Sequence, residues 1–471
     1  MLHTELESVK IVESGSRRSR LHPSRLSFHF ITKGLYMALR RDFLKTTAFL
    51  STAALAGVSI PAVHAGESSE LKIGLVGCGG RGCGAVRDAL TIDPNVKLVC
   101  AAEIFPERAE SGLGLLKESF GDRIAVNPDT TFIGFDGFQK VLASDIDSVI
   151  LATPQLFRPT MLKAAIEAGK HVFAEKPVAV DGAGIKMVLE ASAMAKAKGL
   201  NLVSGLVNRY YPTTIDLMKR IHDGAIGNIV SAKANRLGGQ LWRHPRQEGD
   251  TEMRYQMRNW VNFCWIASEW INDVTIHQID VALWAMGDPT PVSCIGMGGR
   301  LARNPKQYPD CGDMYDSIAV SYEFGDGRFL QANSRQMPGT WTDARTYLYG
   351  TNGSAIIGNS GSQLEIMGPN AFKGERYKVP GTQMEHKALF DAIRSGGKTY
   401  VNNGAYMANS TGTCIMGRIA AYTGQTVTWD DMLNDVQPKP ESWSFDAVPP
   451  TLPNENGEYK IAIPGMGWGY I

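Results

Sequence analysis

Lys72-Ile73-Gly74-Leu75-Val76-Gly77-Cys78-Gly79-Gly80-Arg81-Gly82 decides the fold. An apolar run of strand length stops at a cluster of glycines, and Ala85, Val86, Ala89 and Leu90 then recur at helical spacing. Strand, Gly-x-Gly-x-x-Gly turn and helix start are the parts of a dinucleotide-binding βα unit. Gly77 lets the chain turn sharply, Gly79 lets the backbone approach a pyrophosphate, and Gly82 lets helix and strand pack closely. Gly80 and Arg81 open the helix, whose N-terminus offers unpaired N–H groups to phosphates. Glycine clusters also make ordinary loops, so the surrounding chain has to carry the reading.

It does so by alternation. Val96 to Glu103 reads as a second strand ending in an acid, 26 residues after Gly77. A carboxylate there accepts hydrogen bonds from a ribose diol, which favours NAD over NADP. Arg108 lies close in sequence and keeps NADP as the alternative. Asp145 to Pro154 reads as a buried parallel strand that ends at Thr153-Pro154, followed by a helix from Met161 with a glycine stop at Gly169. His171 to Ala174 is the next strand and runs into Glu175-Lys176-Pro177. A helix from Ala183 to Ala197 and a strand from Asn201 to Ser204 complete the pattern of a doubly wound parallel α/β sheet. Gly77, Glu103, Thr153, Pro154 and Glu175 all fall at the carboxyl edge, where such sheets bind ligands.

The chain has 471 residues, 44% apolar and 20% charged, with a formal charge of +1. The first 65 residues hold nine Lys/Arg and four Asp/Glu, so the remainder is mildly acidic. That excludes a concentrated basic nucleic-acid surface. The seven cysteines are scattered, with no Cys-x-x-Cys pair and no zinc spacing, so no metal site is expected. Arg40-Arg41-Asp42-Phe43-Leu44-Lys45 reads as a twin-arginine motif. Small apolar residues follow to Ile60, then Val63-His64-Ala65 as a cleavage site. The apolar run is too short and mild for a membrane span, so no stable membrane insertion is expected once the signal is removed. Met37 is an alternative start. The twin-arginine machinery exports folded proteins, so a nucleotide made in the cytoplasm would be bound before export, to a periplasmic or other exported location, and retained.

The glycine turn, the Ala152-Thr153-Pro154 strand end, Ala168-Gly169-Lys170-His171 and Glu175-Lys176-Pro177 occur in one order. Gly205 to Pro212, Gly224 to Ile229 and Asp273-Val274-Thr275-Ile276-His277-Gln278-Ile279-Asp280 follow. Together they resemble the glucose–fructose oxidoreductase/inositol dehydrogenase (Gfo/Idh/MocA) family over nearly all of residues 70–435. The leader and the stretch from Arg258-Asn259-Trp260 through Gly299-Arg300 resemble an exported branch of that family. The resemblance implies that Lys176 sits between nicotinamide and substrate, with His277 as acid/base and Asp273 supporting it.

The residues suit those roles on chemical grounds. A histidine titrates near neutral pH and can take a hydroxyl proton, while a lysine ammonium stabilises a developing alkoxide. Asp273 and His277 are four apart, so a regular helix would put them on one face, with the carboxylate raising the imidazole pKa and fixing its tautomer. Two departures from the resemblance stand out. Many relatives carry histidines after Thr153-Pro154, where this chain has Gln155-Leu156-Phe157-Arg158-Pro159, and Asp273 stands where some exported relatives have glutamate.

Four parts are expected: a leader over 1–65, an NAD-binding Rossmann domain over 66–205, an α+β substrate and oligomerisation domain with an open, mainly antiparallel sheet over 206–440, and an arm over 441–471. Arg209, Tyr210, Arg258, Trp260 and Asp280 are the substrate-contact candidates, with Arg236, Trp242, His244 and Arg335 behind them. The reading is an exported homo-oligomer that moves hydride between a ring CH–OH of a sugar, glycoside or cyclitol (C3 is the expected carbon) and bound NAD. A glycosidase working by oxidation, elimination and hydration is the alternative, and a nucleotide-binding protein without catalysis is the second.

Overall fold

β1 (Leu71–Val76) is almost wholly buried, as a central parallel strand covered on both faces has to be. The computed structural model describes residues 69–303 and 311–466. The leader with its twin-arginine motif, and the last five residues of the arm, lie outside the described residues. β1 leads through the glycine turn into α1 (Gly80–Ile92), which buries Cys83, Ala85, Val86, Ala89 and Leu90. Then come β2 (Val96–Glu103), α2 (Pro106–Phe120), β3 (Thr131–Ile133), α3 (Gly137–Ala143) and β4 (Ser148–Leu151). They are followed by α4 (Arg158–Glu167), β5 (His171–Ala174), α5 (Gly182–Lys198) and β6 (Leu202–Ser204). Local chemistry sets the ends. Pro106 opens α2 at a position that needs no N–H, the Asp181 carboxylate accepts the Gly184 N–H at 2.7 Å, and Gly199 stops α5 in the left-handed region.

These strands form a six-stranded sheet in the order β3-β2-β1-β4-β5-β6, parallel throughout. The order reverses between β1 and β4, which opens a crevice at the carboxyl ends of the strands. Gly77, Glu103, Thr153 and Glu175 stand on that edge. The short β3 carries no clear period in the sequence and adds an edge strand beside Ala101–Glu103.

A second sheet follows α6 (Pro212–His222). It is formed by β7 (Ile229–Gly238), β8 (Ser293–Gly299), β9 (Ser317–Glu323), β10 (Phe329–Gln336), β11 (Arg345–Gly350), β12 (Gly353–Gly358), β13 (Leu364–Met367), β14 (Phe372–Lys373) and β15 (Val427–Thr428). Its nine strands run β14-β13-β12-β11-β7-β10-β9-β8-β15, and only the β7–β10 pair is parallel. The fold is thus a parallel α/β sheet joined to an α+β unit with a mainly antiparallel sheet. One face of the second sheet is covered by α8 (Ile276–Ala285) and by α10 (Gly404–Thr423), the latter buried along nearly its whole length. On the other face Ile295, Met297, Tyr349 and Met367 are exposed.

α7 (Glu252–Arg258) and a π turn (Ile271–Thr275) precede α8, and α9 (Gly381–Arg394) packs on α1. Residues 436–466 form neither helix nor strand apart from one isolated bridge. All seven cysteines are buried, and none is in a disulfide. Among the described residues no helix is long and apolar enough to cross a membrane, and no cluster of His, Cys, Asp and Glu could hold a metal ion.

Candidate active site

The glycine turn is built for a dinucleotide. Gly77 has φ +97°, open to glycine at no steric cost, and a Cβ on Gly82 would lie 1.8 Å from the Gly77 carbonyl oxygen. At Gly79 and Gly80 an added Cβ would meet nothing within 4 Å, so the outer face of the turn is clear. No side chain caps α1, which leaves its first N–H groups for a phosphate. Glu103 closes the adjoining wall. Its carboxylate accepts the Cys78 N–H at 2.8 Å, the Ile104 N–H at 2.8 Å and the Phe105 N–H at 3.1 Å. A carboxylate has about four acceptor positions, so one remains for a ribose hydroxyl. Arg108 lies over the Phe105 ring, 4.5 Å from its centroid. Thr153, Pro154, Phe135, Phe157 and Trp260 complete the cleft. These residues fit NAD, and they would hold its ribose and pyrophosphate.

Glu175 anchors the turn that presents Lys176. The Arg81 guanidinium donates to it, so an arginine of the glycine turn is tied to the lysine-bearing turn. Burial opposes ionisation of Glu175, but the Arg81, Lys176 and Arg158 cations outweigh it and hold its carboxyl below the usual carboxylate range. Arg81 thus lines the cleft over the glycine turn, with Glu175 buried behind it. The Lys176–Pro177 peptide is cis. Lys176 Nζ reaches across to the second unit and donates to the backbone carbonyl of Asp273 at 2.5 Å.

The structure brings Lys176, Asp273 and His277 together but corrects their expected pairing. Asp273 lies in the π turn, and the α-helix resumes only at Ile276, so the regular i, i+4 geometry does not apply. Its carboxylate accepts from Gln155 Nε2 at 2.9 Å. His277 Nδ1 is buried and has no hydrogen-bond partner among the described residues. Burial, then the Lys176, Arg236 and Arg81 cations, push the imidazole well below its ordinary 6.5, the reverse of the rise expected from an aspartate partner. His277 is a neutral base near pH 7, beside an ammonium.

Two residues of the Gln155–Arg158 loop support this arrangement. Gln155 is fully buried. Arg158 is buried as well, and its guanidinium donates to the Pro177 carbonyl. The departure from the histidines of relatives flagged this loop, but nothing in the sequence gave either residue a contact.

The substrate candidates divide. Trp260 lines the cleft over the glycine turn, together with Trp242 and His244. Arg209 and Asp280 do not act there. Arg209 Nε donates to both oxygens of buried Asp280 at 3.0 Å, Arg209 Nη1 donates to Asp288 at 3.0 Å, and the guanidinium lies 3.9 Å from the Tyr406 ring centroid. Ser410 takes up Asp280 further. Tyr210 donates its hydroxyl to Asn403 and packs in the core beneath the first sheet. Arg258 is buried in an ion pair with Asp250, with Nη1 to Oδ2 at 2.6 Å. Arg209, Asp280 and Arg258 are thus paired as buried charges have to be, and Tyr210 is held by a neutral hydrogen bond. Arg236 has no such partner.

Residues 71–205 match the model of the oxidoreductase family with an NAD-binding Rossmann fold (GFO_IDH_MocA), and residues 215–356 match the GFO/IDH/MocA C-terminal domain. An inositol 2-dehydrogenase of Rhizobium meliloti is 27% identical over 290 residues, 61% of this chain and 76% of its own. A scyllo-inositol 2-dehydrogenase (NAD(+)) of Bacillus subtilis is 25% identical over 294 residues, 61% of this chain and 74% of its own. The fold is shared with an aldose–aldose oxidoreductase of Caulobacter crescentus complexed with glycerol. That match has a TM-score of 0.60 and 19% identity, and covers 76% of this chain and 99% of that one. An enzyme of gentamicin A biosynthesis in complex with NAD superposes with a TM-score of 0.58 at 19% identity, over 76% of this chain and 96% of that one.

Proposed function

The chain belongs to the Gfo/Idh/MocA family and is an NAD-dependent oxidoreductase of CH–OH groups; from that premise we propose that it oxidises or reduces a ring alcohol of a sugar or cyclitol as an exported enzyme with retained NAD. The observation that carries the reading is the meeting of Lys176, Asp273 and a neutral His277 beside the carboxyl edge of the NAD-binding sheet.

NAD, when bound, supplies the hydride acceptor. The chain's residues do the rest. His277, held neutral by burial and the neighbouring cations, takes the hydroxyl proton. The Lys176 ammonium stabilises negative charge on the alcohol oxygen as the proton leaves, and its bond to the Asp273 carbonyl fixes where that ammonium stands. Gln155 holds the Asp273 carboxylate, so Asp273 shapes the field of the site without taking the proton from His277.

Retention of NAD is supported by the arm. Trp443 lies 4.8 Å from Phe157 and Phe445 lies 5.2 Å from Phe105, ring to ring, and both partners line the nucleotide cleft. Thr251 donates to the Phe445 carbonyl and Gln256 Nε2 to the Thr451 carbonyl at 2.7 Å, so α7 and the arm hold each other behind the cleft. Export rests on the twin-arginine motif at Arg40-Arg41. Assembly into a homo-oligomer rests on the apolar residues of the open sheet face.

The decisive experiment is to denature the purified, exported protein, identify the nucleotide released, and assay the native enzyme on a panel of cyclitols and sugars. Stoichiometric NAD and substrate-dependent NADH absorbance are expected. Protein that carries no nicotinamide nucleotide after gentle purification overturns the retained-cofactor reading, and a silent panel overturns the dehydrogenase reading.

A further inference from the structure

β7 and β10 run in parallel with Arg236 opposite Ser334 and Gly238 opposite Gln336. Along β7 the buried Ala232 and Ala234 share a face with Arg236, and along β10 Leu330, Ala332, Ser334 and Gln336 form the matching buried row. This is the face that the catalytic helix covers. Thr275 Oγ1 meets Ser334 Oγ at 3.0 Å, which sets the end of the π turn over the strand pair, two residues before His277. Arg236 and His277 thus come to one patch, close enough for the guanidinium to act on the imidazole.

That patch is unfinished. Arg236 has no hydrogen bond, ion pair or ring contact among the described residues, and its Nε is buried. The Nδ1 of His277 and both amide atoms of Gln336 are buried and unpaired as well. Native structures leave few buried polar atoms unpaired, and Arg236 is half-buried, with its Nε enclosed and no partner for its charge among the described residues. The other cations around the imidazole are committed, Lys176 to the Asp273 carbonyl and Arg81 to Glu175. The nearby carboxylates are committed too, Asp273 to Gln155 and Glu175 to Arg81. Neither Asp273 nor Glu175 is paired with Arg236. A guanidinium presents a planar fork of donors that matches a carboxylate with two parallel hydrogen bonds.

We propose that Arg236 and Gln336 form a subsite for a carboxylate borne by the substrate, so that the enzyme acts on acidic sugars of the uronate or aldonate class, with a CH–OH group of the same molecule presented to His277. This rests on the dehydrogenase reading and deepens it. The carboxylate is a handle and is not itself oxidised; the electron pair leaves with the carbinol hydrogen to NAD+, and the hydroxyl proton goes to His277.

The test is calorimetric titration of NAD-loaded enzyme with D-glucuronate, D-gluconate, D-glucose and myo-inositol, with NADH absorbance followed for the same compounds. The acid sugars are expected to bind at least about tenfold tighter than glucose, more weakly as salt is raised, and Arg236→Gln should cut their affinity about 100-fold more than that of the neutral compounds. Arg236→Lys should recover part of the loss. Equal or tighter binding of the neutral sugars by the unaltered enzyme overturns the subsite, and that ratio decides even where a variant fails to fold. Acid-sugar binding that depends on Arg236 without any NADH signal upholds the subsite and overturns the dehydrogenase reading. A signal confined to the neutral compounds does the reverse.

Discussion

Arg209 and Arg236 carry the same charge into the molecule and meet opposite surroundings. Arg209 follows a family-like motif, and its guanidinium is used up by Asp280, Asp288 and the Tyr406 ring. Arg236 sits in a strand with no motif around it and has nothing to bind among the described residues. A motif marks a position the fold depends on, which for Arg209 is the junction of the two sheets. Arg236, half-buried and without a partner beside His277, is the position at which we place a ligand. The same contrast separates Asp280, enclosed by Arg209 and Ser410, from His277, whose buried Nδ1 has no partner among the described residues.

The largest effect, and the most direct way to break the comparison, lies at the base. His277→Ala should lower kcat by roughly 10²- to 10⁴-fold with little change in thermal stability, and Lys176→Ala by about 10²- to 10³-fold. Steady-state NADH formation with a turned-over sugar checks both. Near-normal turnover in His277→Ala would remove the catalytic centre from Arg236's neighbourhood and dissolve the contrast.

Stability sharpens it next. Arg209→Ala leaves Asp280 buried without its cation and should cost about 3–5 kcal/mol in urea unfolding. Arg236→Ala removes a cation that has no partner to strand, and should change stability by no more than about 0.5 kcal/mol in either direction. Equal losses in the two variants would mean that Arg236 is as structural as Arg209.

The nucleotide end of the cleft was legible in the sequence because it is made by local backbone. A strand, three glycines and a helix start fix one another within a dozen residues, and Glu103 follows at the end of the adjacent strand. The catalytic end was half legible. Lys176, Asp273 and His277 were singled out through their motifs and lie together in the structure, but the partner of Asp273 could not be read. Periodicity assumes a regular helix, whereas the π turn at Ile271–Thr275 changes which neighbours meet, and the amide that takes the carboxylate lies 118 residues earlier in the chain. The fates of Arg209 and Arg236 were illegible for the same reason. Pairing of a buried charge is settled by tertiary contacts that no spacing rule encodes.

Gln155 gives the smallest effect and the finest test. Its amide holds the Asp273 carboxylate, and His277 stays neutral under burial and the cations of Lys176, Arg236 and Arg81. Arg158, which also bears on the site from the Gln155 loop, is held at the Pro177 carbonyl. In Gln155→Leu the Asp273 carboxylate loses its amide partner, four residues before His277, and an anion that reaches that ring favours its protonated form. In the oxidative direction His277 has to be neutral to accept the hydroxyl proton. In the unaltered enzyme the acid limb of kcat/KM should therefore lie below pH 6.5. In Gln155→Leu it should move up by about one unit, a loss of roughly tenfold at the acid end that fades towards alkaline pH. A packing defect alone would lower the whole profile without moving its limb. An unshifted limb in a folded Gln155→Leu enzyme would show that Asp273 does not govern the base, and that the cations around His277 set its protonation by themselves.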